Sequence, residues 1–191
     1  NPYTKKVGRF KKFITILAVF IVMLCLGGIY AWSIIASELV ELYGFSSAQT
    51  QLIFGLVIAI FPVTMIFANN ITLKIGTTKT MYLSALLFAL GYLLAYFSDG
   101  NYFLIALGAG FLAGIGTGLG YYVSLTTPVK WFPTRQGLVT GIAAAGFGLG
   151  AIVLSFFVQG LLNSGKSIEE VFLTICLVYG MVIFLFANLI Y

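Results

Sequence analysis

The chain holds 191 residues, 61% of them hydrophobic and 8% charged, with a mean hydropathy of +1.08. Soluble domains carry about 25% charged residues, so this composition cannot wet a globular surface, and 18 Phe with 11 Tyr exclude a solvated disordered chain. The lack of histidine removes the commonest metal ligand and general base, and Cys25 and Cys176 lie in apolar runs that read as core rather than as a disulfide scaffold. The chain is an integral membrane protein.

A basic N-terminal segment, 1–12, carries Lys5, Lys6, Arg9, Lys11 and Lys12. It is no signal peptide, because the apolar run after it is too long and no small-residue cleavage site follows. Charge-free stretches at 13–37, 42–73, 80–98, 100–129, 136–165 and 171–191 then predict helical spans at 13–37, 47–73, 79–98, 102–127, 136–163 and 168–191, each long enough to cross a hydrocarbon core of ~30 Å. A closed barrel would need alternating segments of ~10 residues, and runs such as Ile14 to Leu26 do not alternate. Ser46 with Gln49 and Ser167 with Glu170 fit capping boxes at the starts of the second and sixth spans. Pro62 predicts a kink inside the second span, and Pro128 with Pro133 is expected to stop the fourth.

Nine of the ten basic residues fall on one side: the N-terminal five, Lys74 and Lys79 in the second loop, and Lys130 and Arg135 in the fourth. The other side holds Lys166 with Glu38, Glu41, Asp99, Glu169 and Glu170. The positive-inside rule therefore places the N-terminus in the cytoplasm. The net charge of +5 records topology and calls for no nucleic-acid partner. Trp131 and Phe132 suit the headgroup layer beside Lys130 and Arg135.

A shift of 91 residues lays the first span on the fourth, so that Gly27, Tyr30 and Ser33 fall on Gly118, Tyr121 and Ser124. Residues spaced by three share a helix face, and three-plus-three inverted repeats build six-helix halves of many transporters. The run Gly114-Ile115-Gly116-Thr117-Gly118-Leu119-Gly120 mimics a dinucleotide fingerprint, but no strand precedes it and no acid follows about 20 residues on. Close helix packing is the reading for these glycines and for Gly137, Gly141, Gly146, Gly148 and Gly150 in the fifth span. With no acid or base in the charge-free stretch of any span, an enzymatic role lacks an activating group, and neither cofactor nor metal is expected. The polar groups open to a buried ligand are Tyr30, Ser33, Gln51, Thr117, Tyr121, Tyr122, Ser124 and Gln159.

Gly28-Ile29-Tyr30-Ala31-Trp32-Ser33, then Tyr43-Gly44-Phe45-Ser46 with Gln49, resembles helices one and two of the oxalate/formate antiporter family. That family belongs to the major facilitator superfamily and is related to monocarboxylate transporters. Lys130-Trp131-Phe132-Pro133, Arg135, Gly137-Leu138, Gly141-Ile142 and Gly146 to Gly150 resemble its fourth loop and fifth helix. The resemblance implies an all-α, N-terminal six-helix half of a major facilitator carrier in the cell membrane. It would move small carboxylate anions by alternating access, with a second six-helix half as its partner. It also implies that Tyr30, Tyr121 and Phe147 line the substrate cavity, joined on the repeat by Ser33 and Ser124; Phe147 lacks the hydroxyl some relatives carry. The superfamily loop Gly-x-x-x-Asp-Arg-x-Gly-x-Arg-Arg matches Asn69, Leu73, Lys74, Gly76 and Lys79, with Leu73 in place of the acid. A carrier for a neutral or other solute, or a six-helix scaffold without transport, stays open at this point.

Overall fold

The computed structural model describes residues 9–190. Lys5 and Lys6, and the rest of the segment before residue 9, lie outside the described residues. Six helices are long and apolar enough to cross a membrane: α1 (Phe10–Tyr43), α2 (Ser47–Ile75), α3 (Thr77–Tyr96), α4 (Tyr102–Trp131), α5 (Gln136–Asn163) and α6 (Ile168–Ala187). Helices suit the membrane because each satisfies its own backbone hydrogen bonds.

The helix starts follow local chemistry. Ser46 and Ser167 both make the expected capping boxes, each side chain accepting from the third backbone amide while Gln49 or Glu170 returns to the cap's own N–H. Asn101 caps α4 by accepting from Phe103 and Leu104. Lys166 pairs with Glu170 at 2.9 Å, an exposed contact of small energetic weight.

Only Gly76 separates α2 from α3, a tighter connection than the sequence suggests, and its φ of +90° lies where side chains are disfavoured. Pro128 does not stop α4: it is buried inside the helix, which runs on to Trp131 and ends at Phe132, the residue before Pro133. A buried proline so near the helix end removes only one late hydrogen bond, while residue 132 is forced out of helical geometry. The α2 helix likewise runs unbroken through Pro62.

The packing is that of two interleaved triplets. Helix α1 packs mainly on α5, and α4 on α3 and α2; α3 packs on α6, and α1 touches α4 and α6. Exchanging α1–α2–α3 for α4–α5–α6 maps each of these pairs onto another or onto itself, the signature of a 3+3 repeat. The glycines of α4 are packing sites: a Cβ on Gly116 would meet the Phe88 amide of α3 at 2.7 Å, and one on Gly118 the Phe61 carbonyl oxygen of α2 at 2.6 Å. Gly91 of α3 and Gly108 of α4 oppose each other backbone to backbone. In α5 the reading divides. Gly146 and Gly150 press on α1, whereas Gly137, Gly141 and Gly148 have nothing within 4 Å and do not pack among the described residues. Those three lie on the open face of α5, and α2 and α5 are the least covered of the six helices.

Candidate functional site

Helix α1 changes character halfway along. Gly27–Ala31 tightens into a 3₁₀ turn before α-helix resumes at Trp32. Two adjacent glycines weaken helical preference there. A Cβ on Gly27 would overlap the backbone of Phe147 in α5, and one on Gly28 would meet the Leu154 side chain at 2.7 Å. A 3₁₀ stretch inside a helix commonly marks a hinge, and this one carries Tyr30. The far side of the turn is anchored by Trp32, whose Nε1 donates to the Thr50 carbonyl of α2 at 2.9 Å.

Tyr30 is half exposed and stands edge-on to Phe147, centroids 5.6 Å apart and planes at 86°. Tyr121 of α4 stands edge-on to Phe61 of α2 at 5.2 Å and 77°. Phe61 and Phe147 stack at 6.1 Å, and Tyr121 also meets Phe147 at 4.8 Å. Phe54 extends the group from α2, 6.5 Å from Tyr30. The backbone repeats the pattern: Gly27 lies against the Phe147 carbonyl oxygen, and its counterpart Gly118 against that of Phe61. Tyr30 with Phe147 and Tyr121 with Phe61 are thus one arrangement made twice, meeting where the two phenylalanines stack. Edge-to-face pairs of this kind contribute about 0.5–1.5 kcal/mol each beyond area burial.

The structure brings together Tyr30, Tyr121 and Phe147 and adds Phe54 and Phe61, which the sequence reading passed over. Phe61 hides because its counterpart Phe147 lies 147 − 61 = 86 residues on, out of step with the 91-residue shift that aligns α1 with α4. The two serines do not join the group equally. Ser33 is exposed, whereas Ser124 is fully buried and its Oγ has no hydrogen-bond partner among the described residues. Thr117 returns its hydroxyl to the Ala113 carbonyl, and Tyr122 donates to Asn69 Oδ1 of α2 at 2.7 Å, while Gln51 and Gln159 are exposed. Those groups serve packing or lie at the surface.

The basic residues gather at the other end of α1. Lys12 Nζ donates to the Trp131 carbonyl at 3.2 Å and sits 5.8 Å from the Phe132 ring centroid, tying the start of α1 to the end of α4. A cation there also complements the negative end of the α4 dipole. Lys74 and Lys79 are exposed on either side of Gly76, as are Lys130 and Arg135 beside half-buried Trp131.

A six-helix membrane bundle with internal three-plus-three symmetry and an aromatic cluster on its axis defines a class: half of a secondary carrier fold. The sequence profile of the Major Facilitator Superfamily matches residues 13–191, and the chain belongs to that family. It is 30% identical to an uncharacterized MFS-type transporter of Escherichia coli, over 80% of this chain and 38% of that one. It is 28% identical to the oxalate:formate antiporter of Oxalobacter formigenes, over 92% and 41%, and 23% identical to human monocarboxylate transporter 14, over 84% and 31%. The chain spans about two fifths of the length of the first two curated relatives. Its six helices are those of the N-terminal half of a major facilitator fold, and the protein is a multi-pass membrane protein of a transporter family.

Proposed function

We propose that this chain is half of a secondary carrier that moves small organic carboxylate anions, of the oxalate, formate or monocarboxylate kind, by alternating access. The observation that carries the reading is the doubled Tyr-Phe cluster on the internal two-fold, seated at the 3₁₀ break of α1. The names of the oxalate:formate antiporter and monocarboxylate transporter relatives support the substrate class.

The site chemistry is partial by design. Tyr30 and Tyr121 offer phenolic donors, and ring edges carry the positive rim of the aromatic quadrupole, so the cluster favours the oxygen side of a carboxylate. A carboxylate taken out of water without a positive partner loses several kcal/mol. The cation therefore comes from a second six-helix half, which docks on the open faces of α2 and α5. Gly55, Gly137, Gly141 and Gly148, with nothing within 4 Å, permit close backbone approach there. Ser33 lies at the exposed rim of this pathway, while Ser124, one turn on from Tyr121 in α4, is buried. The basic end, with Lys74, Gly76, Lys79, Lys130, Trp131 and Arg135, faces the cytoplasm across the cell membrane. Rocking of the two halves about the aromatic site then exposes it alternately to either side.

The test is anion exchange by the complete gene product in liposomes loaded with oxalate, formate or lactate. Saturable exchange of one of them is expected. Tyr30→Ala and Tyr121→Ala should each impair uptake with expression unchanged. Well-folded protein that exchanges none of these anions overturns the substrate class, and unaltered kinetics in both variants overturns the cavity assignment.

A further inference from the structure

The α3–α6 pair contributes no ring to the aromatic cluster and carries a feature of its own. A groove of about 570 Å³ runs between these helices, lined by Lys79, Tyr82, Leu86 and Ala89 of α3 and by Gly180 and Phe184 of α6. It is closed at one end where the helices nearly touch, since a Cβ on Gly180 would meet the Ala89 Cβ at 2.9 Å. Toward the other end the Tyr82 and Phe184 rings meet with centroids 4.7 Å apart and planes tilted by 31°, and Tyr82 donates to Asn188 Oδ1, so the walls are held in place. Leu86 and Phe184 are half exposed along its length, which leaves the groove open sideways to the hydrocarbon.

Its dimensions and charge choose the occupant. From Ala89 to Lys79 is ten residues of helix, about 15 Å, or half of a ~30 Å hydrocarbon core: the depth of one leaflet. The lining is apolar except at the mouth, where Lys79 is the charged residue. Among the described residues no acidic side chain lies near that end. All five acids of the chain belong to the opposite ends of the helices, and the ion pair found among the described residues is Lys166 with Glu170 there. Lys74 adds a second exposed cation across the Gly76 turn. The faces that await a second half are those of α2 and α5, so this groove is left to the lipid.

We propose that the α3–α6 groove binds one anionic phospholipid from the leaflet at the basic end, its acyl chain lying from Lys79 toward Gly180 and its phosphate against Lys79. An exposed lysine beside an anionic headgroup contributes enough to change affinity roughly fivefold, and the apolar groove supplies the rest through chain burial.

Native mass spectrometry of the complete gene product, titrated with phosphatidylglycerol, phosphatidylcholine or inorganic phosphate, tests this. One tightly retained phosphatidylglycerol is expected, with phosphatidylcholine weaker and phosphate alone not retained. Lys79→Gln should weaken phosphatidylglycerol about fivefold, Leu86→Trp should fill the groove and abolish the retained lipid, and Lys130→Gln, a cation of the same end on another helix, should leave it unchanged. Equal retention by Lys79→Gln, equal binding of the two lipids, loss only in Lys130→Gln, or a second copy of the chain displaced by Leu86→Trp would each overturn the assignment. Thermal unfolding of each variant without lipid separates a folding defect from lost binding, and because the readout is lipid mass, failure here leaves the carrier reading untouched.

Discussion

Gly27→Ala is the substitution that probes the site through its backbone. The added Cβ overlaps the carbonyl oxygen, carbonyl carbon and Cα of Phe147, all main-chain atoms that no rotamer change can remove. The helices must part by an ångström or more to restore contact. Overpacking in a close-packed interior costs about 1–3 kcal/mol, and the gain in helix propensity from Gly to Ala returns up to about 1 kcal/mol. Because backbone opposes backbone, the net lies toward the upper part of that range. Gly118→Ala meets the Phe61 carbonyl at 2.6 Å and the Thr64 Cβ at 2.7 Å, a milder clash in the same geometry. Gly160→Ala in α5 meets nothing within 4 Å and keeps only the propensity gain. Scanning fluorimetry of the purified complete protein should rank melting temperatures as Gly160→Ala at or above wild type, then Gly118→Ala, then Gly27→Ala. Tyr30 follows Gly27 by one helical turn, so Gly27→Ala should also slow exchange per folded molecule. A Gly27→Ala protein as stable and as active as Gly160→Ala would refute the close α1–α5 contact and with it the doubled cluster.

Trp32→Phe removes the indole donor to the Thr50 carbonyl, which keeps its bond within α2; losing the one bond between helices should cost about 0.5–1.5 kcal/mol, read as a lower melting temperature, and an unchanged one would deny the anchor. Gly76→Ala places a side chain at φ +90°, a backbone position costing about 1–3 kcal/mol. Reduced folded yield is expected, whereas Gly44→Asn, whose glycine sits at φ +66° in the left-handed region Asn tolerates, should be mild. Equal yields for the two would contradict the one-residue turn.

Much of this protein was legible as a string. Spans follow from gaps between charges, because a bilayer admits few ionised groups. Capping boxes at Ser46 and Ser167 follow from side chains that reach only three residues, so local order suffices to see them. The repeat of Gly27-Tyr30-Ser33 in Gly118-Tyr121-Ser124 pointed to both tyrosines. Local order fails where neighbours decide. Pro128 reads as a helix stop, yet α4 continues past it because buried packing on other helices holds the last turn. The glycines of α5 read alike, but only Gly146 and Gly150 face α1.

The same division holds for the site. Sequence by itself determined a membrane bundle and its family and set two tyrosines at matching repeat positions, since hydropathy, charge placement and motif spacing are properties of the chain alone. Tertiary structure decided that Phe61 belongs with Phe147, that Ser124 is sealed while Ser33 is open, and that a groove runs between α3 and α6. Each of these depends on which faces of separate helices meet. A register offset of 86 in one helix pair against 91 in another leaves no mark on the string, and the helices align it only once they pack.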